Sequence, residues 1–81
     1  IEKIDVGFII KGILHPITYV NKIIIYGDNN LELWNVVTKY KVYDFSHLIK
    51  GRIYNIAPSP KVDVIAISVE KSILLFNLKT A

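Results

Sequence analysis

Apolar residues along this chain fall into short blocks, each bounded by residues that turn the backbone. The longest blocks, 23–26, 64–67 and 73–76, are strand length, far short of the ~18 residues that cross a bilayer. The pattern predicts a first strand over 8–14, ended by His15-Pro16 because proline cannot donate to a ladder. A second strand is predicted over 22–26, followed by Gly27-Asp28-Asn29-Asn30, residue types suited to a tight turn at positive φ. A third covers 31–36. Its alternation sets Leu31 and Leu33, with Asn35, on one face and Glu32 and Trp34 on the other. A fourth covers 41–45. Three more follow over 52–57, 62–68 and 72–78, the last two turning at Glu70-Lys71.

These strands repeat. Pro16 and Pro58, Ile23 and Ile65, Ile25 and Ile67, Leu31 and Ile73, Leu33 and Leu75, and Thr38 and Thr80 all lie at the offset that separates Trp34 from Phe76. Two copies of one unit are present, the first over 1–47 and the second over 48–81. The second stops where its fourth strand would begin. A period of ~40–45 residues holding four short strands is that of a propeller blade. The β-branched runs and frequent turn residues exclude helical repeats of similar length. The expected fold is all-β: two consecutive four-stranded blades of a partial β-propeller. Blades bury both faces, which accounts for nearly continuous apolar strands. Two blades alone would leave apolar faces bare, so further blades are expected from elsewhere in a parent chain. The start at Ile1 and the absence of methionine fit an internal stretch of such a parent.

Composition narrows the chemistry. Hydrophobic residues make up 52% and charged residues 21% of the chain, too apolar for disorder. Without cysteine there is no disulfide framework, thiolate zinc site or Cys nucleophile. No secretory signal is visible. The formal charge of +3 mildly favours acidic partners such as RNA, although acidic residues sit near most of the basic ones.

Leu31-Glu32-Leu33-Trp34-Asn35 followed by Thr38 resembles the third-strand signature of WD repeats, with Asn in the Asp place. Phe45-Ser46-His47 stands about where the Gly-His pair of a following repeat belongs. Ala57-Pro58-Ser59-Pro60 resembles the turn between the first two strands. A narrower likeness runs through the string His15-Pro16-Ile17-Thr18-Tyr19-Val20-Asn21-Lys22, then residues 31–36 and 62–67. It is similar to a WD-repeat family of the small-subunit processome that associates with U-three snoRNA. That resemblance implies a tandem-propeller scaffold in the nucleolus, acting in pre-rRNA processing and ribosome biogenesis. Its implied partners are other processome proteins, with snoRNA or pre-rRNA contacted indirectly. A WD-repeat adaptor between proteins of another pathway is the alternative.

The family's blades are often tied by His, Ser or Thr, Trp and Asp. Here His47, Ser68 and Phe76 fall in those places in one unit, and Trp34 and Asp28 in the other. Phe76 has no N–H, Glu70 replaces Asp, and Tyr26 stands where Ser68 falls in the repeat. Neither unit holds the full set.

Candidate chemistry is sparse. His15 and His47 lack metal-binding or catalytic spacing. Asp5, Asp28, Asp44 and Asp63 lie on turns and strand ends, and Ser46, Ser59, Ser68 and Ser72 lack a Gly-x-Ser-x-Gly context. No nucleophile, base and oxyanion donor can be assembled. No enzyme, metal or cofactor is expected, and no membrane partner. At its strand position Trp34 is expected in packing. Tyr40, Tyr43 and Tyr54 interleave with Lys39, Lys41, Lys50 and Arg52 around the join between units. Such interleaving can stack bases and neutralise phosphates, though outer-strand residues with snorkelling lysines look the same. This group is the candidate partner or RNA contact.

Overall fold

The computed structural model describes residues 1–16 and 19–78. The Thr38–Thr80 correspondence and Thr18 of the family string therefore involve positions outside the described residues. The fold is all-β, in two antiparallel sheets. Strands β1 (Gly12–Leu14), β2 (Lys22–Tyr26), β3 (Leu31–Asn35) and β4 (Tyr40–Asp44) form the first, each beside its sequence neighbour. A 3-10 turn, Ser46–Leu48, leads to β5 (Asn55–Pro58), β6 (Val64–Val69) and β7 (Ser72–Asn77), which form the second. Among the described residues no helix is long and apolar enough to cross a membrane.

The sequence repeat reappears as hydrogen-bond register. Ile23 faces Trp34 as Ile65 faces Phe76, and Tyr26 faces Leu31 as Ser68 faces Ile73. Even a connecting bond recurs: Val36 N–H donates to Asn21 O, and Leu78 N–H to Asp63 O, both at 2.7 Å. The inner hairpins differ. Ile13 faces Ile25, whereas Asn55 faces Ser68 rather than Ile67, a slip of one residue. Pro58 thus ends β5 as a strand residue while its counterpart Pro16 lies beyond β1. Proline is tolerated there because β5 borders the sheet.

Several local expectations are corrected: β5 runs Asn55–Pro58 rather than 52–57. The first strand covers Gly12–Leu14 rather than 8–14. Beyond Tyr26 strand β2 gives way to a loop, so residues 8–10 have no ladder to join. The 27–30 turn also lacks positive φ, which occurs at Gly7, Lys39 and Gly51 instead. Gly27 meets a different need. A Cβ there would lie 2.7 Å from Ile9 O and 2.9 Å from the Phe8 ring.

The core lies between the two sheets. Ile24, Leu31, Leu33 and Phe45 on one side meet Ile53, Ile56, Ile65 and Ile67 on the other. Phe45, just past β4, packs edge-on against Phe76 at 5.8 Å between centroids. The outer face of the second sheet is bare, with Ile73 70% and Leu75 71% exposed. On the first sheet the opposite face is closed at Ile25, Glu32 and Trp34. The β3–β4 ladder is interrupted: Leu33 faces Tyr43 but Trp34 faces Lys41, which leaves Val42 as the extra residue of a bulge. In contrast, β7 pairs with β6 along all of its length without a break.

Candidate functional site

The basic and aromatic residues singled out in the sequence separate into two places. One is the β3–β4 hairpin. Asn35 starts its turn by accepting the N–H groups of Val37 and Thr38 on Oδ1, at 2.9 and 3.0 Å, an Asx-type turn. Lys39 closes the turn at φ 63° and pairs with Glu2 at 2.7 Å. Tyr40 is largely exposed on β4. Tyr43 lies against Phe45 at 4.6 Å between centroids and edge-on to His47 at 6.4 Å.

Lys41 is engaged from below. Glu32 is only 3% exposed, and its Oε1 accepts the Trp34 indole N–H at 2.9 Å. Its Oε2 lies 3.2 Å from Lys41 Nζ, which also reaches Asp44 at 3.6 Å. The hydrogen bond to Glu32, reinforced by charge attraction, raises Lys41 above the usual lysine range. Asp44 is held below the usual carboxylate range, chiefly by hydrogen bonding to Ser46, whose N–H donates to Oδ1 at 2.8 Å. Ser46 Oγ in turn accepts Leu31 N–H. Together these bonds bind the last strand of the first sheet to the start of β3.

The second place is the joint between the sheets. Ile53 N–H donates to Asp28 O at 2.7 Å, and Asn29 Nδ2 to Gly51 O at 2.7 Å. The Asp28 carboxylate pairs with Arg52 Nε at 3.3 Å and Lys11 Nζ at 3.7 Å. Lys11 also donates to Ile53 O and lies over the Tyr54 ring, 5.6 Å from its centroid. Lys50 is exposed beside Gly51.

The blade residues are placed as follows. Trp34 bonds Glu32, and Asp28 serves the joint. His47 is exposed on the 3-10 turn. Ser68 Oγ donates to Asn55 O at 3.5 Å, and Phe76 packs on Phe45. Sequence reasoning missed Glu32, Lys11 and Asn29. Glu32 carried a signal, since alternation sets it on the same face as Trp34. Lys11 and Asn29 carried none, because their contacts span sequence-distant loops. Among the described residues no group of three or more His, Cys, Asp or Glu side chains can hold a metal.

The chain is 36% identical over 74 residues, 89% of its length, to human WD repeat-containing protein 36. It is 35% identical over 72 residues, 86% of its length, to the U3 small nucleolar RNA-associated protein 21 homolog of Schizosaccharomyces pombe. This is a WD-repeat chain. The two blade-like sheets and their shared register agree with that assignment. The WD-repeat chain spans 8% of the length of each of these relatives. No family model matches it, and no solved structure does.

Proposed function

We propose that this chain is a non-catalytic scaffold portion of a WD-repeat protein of the small-subunit processome, acting in pre-rRNA processing and ribosome biogenesis in the nucleolus. The observation that carries the reading is similarity along 86% of the chain to a protein named for its association with U3 small nucleolar RNA. The blades divide at residues 47 and 48. The bare face at Ile73 and Leu75 fits cover by further blades of the parent, and other processome proteins are its partners. RNA contact is indirect: of the four cations proposed from sequence, Lys39 and Lys41 already hold carboxylates on the β3–β4 hairpin, away from Lys50 and Arg52.

The test is to purify the tagged full-length protein gently from cells and sequence the RNA recovered with it. Enrichment of U3 RNA and unprocessed small-subunit precursor is the expected result. A stable protein complex without those RNAs would replace the reading with an adaptor of another pathway.

A further inference from the structure

We infer that the corner formed by Lys11, Lys50 and Arg52 at the joint between the sheets docks an acidic segment of a partner protein. The inference deepens the scaffold reading by naming a partner chemistry for one surface. Lys11 precedes β1, while Lys50 and Arg52 lie on the connection into β5. The fold gathers them by bonding that connection to the 27–30 loop, through Ile53 N–H to Asp28 O and Asn29 to Gly51 O. Among the described residues Asp28 is the one carboxylate paired with these cations. The corner therefore keeps an excess of positive charge on an exposed surface.

Its geometry already grips a carboxylate. Asp28 Oδ1 is shared by Lys11 Nζ and Arg52 Nε. Arg52 meets Asp28 through Nε at 3.3 Å, and a guanidinium carries five donors in a fork that suits carboxylates, so one exposed carboxylate does not exhaust it. Lys50, exposed and without an ion pair among the described residues, adds a point charge next to it.

Single-stranded RNA fits less well. Sequence-tolerant RNA binding needs successive open aromatic faces along the track of cations. The ring of Tyr54 carries Lys11 and that of Tyr43 carries Phe45. Tyr40 stands on the outer strand of the other sheet. No continuous stacking platform runs beside Lys50 and Arg52, so point charges dominate, and these match a run of Glu or Asp.

The experiment measures fluorescence anisotropy with the purified full-length protein and two labelled probes of equal length, an alternating Glu-Ser peptide and oligouridylate. Lys50→Glu and Arg52→Gln together are expected to weaken peptide binding by about tenfold, the sum of a few modest surface charge pairs. Lys50→Glu alone, which disturbs no internal contact, is expected to weaken it about threefold and covers the case where the double variant misfolds. Failure of the wild-type protein to bind the peptide, unchanged binding in folded variants, or tighter binding of oligouridylate that the same substitutions abolish would each overturn the inference. Missing U3 RNA in the cellular purification, with peptide binding intact, would count against the scaffold reading and leave the corner standing.

Discussion

Glu32 is a buried carboxylate whose burial depends on two donors, the Trp34 indole and the Lys41 ammonium. Removing the indole donor leaves the carboxylate short of a partner in a desolvated site, which costs about 1–3 kcal/mol. Trp34→Phe is expected to lose that amount and to speed amide exchange in β3 and β4, read by hydrogen exchange on the full-length protein. Lys41→Ala should act at the same place, and a double substitution with Glu32→Gln should cost less than the two singles together. Lys41 is therefore unsuitable for testing a binding surface, because its loss disturbs the sheet first. Asp44 makes the hairpin sensitive to acid. Its carboxyl is lowered in the folded chain, so the stabilisation is present above the usual carboxylate range and lost as pH falls through the lowered value. Ser46→Ala should bring the acid-induced loosening of β4 to higher pH. The raised Lys41 acts in the opposite sense: its stabilisation is complete below the usual lysine range and is lost as pH rises through the raised value.

Among elements, the two glycines beside strands make a direct comparison. At Gly12 a Cβ would meet the Tyr26 hydroxyl at 2.5 Å and the ring edge behind it at 2.7 and 2.8 Å, and that ring packs on the core. At Gly27 it would meet the backbone carbonyl of Ile9, which cannot move without its segment. Gly12→Ala should loosen the β1–β2 hairpin where Tyr26 must shift, while Gly27→Ala should raise hydrogen exchange over residues 8–11. The outer hairpins were legible in the sequence because repeat and alternation act on the same residues: Ile23, Ile25, Ile65 and Ile67 could be placed in register from their spacing alone. The inner hairpins were not. Whether β1 reaches Phe8 depends on where β2 ends, and whether Pro58 lies inside β5 depends on a one-residue slip that no propensity records. The basic-aromatic group divides between two places for a related reason. Lys39, Lys41, Lys50 and Arg52 are close in sequence, yet the 3-10 turn sends them to separate surfaces. Their carboxylate partners Glu2, Glu32 and Asp28 come from other elements.

For the whole molecule, apolar packing outweighs charge in joining the sheets. Phe45 is 2% exposed, and Phe45→Ala should cost about 3–5 kcal/mol. Asp28→Ala removes two exposed ion pairs worth about 1 kcal/mol or less each and keeps the backbone bond to Ile53. Denaturant unfolding should rank the two variants in that order, and added salt should narrow the wild type's advantage only over the Asp28 variant.

The unbroken ladder of β7 has a consequence for handling the chain by itself. Of the sheet borders, β1 is only three residues long, β5 ends in proline and β4 is kinked at Val42, all features that discourage strand addition from another molecule. β7 presents six regular residues carrying Ile73 and Leu75. Among the described residues β7 is the one border without such a feature, and pairing through it closes on itself: two molecules meet about a twofold axis and use that border up. Sedimentation over a concentration series should therefore level off at the dimer, and fibrils should form only after Val42 is deleted and the kink lost.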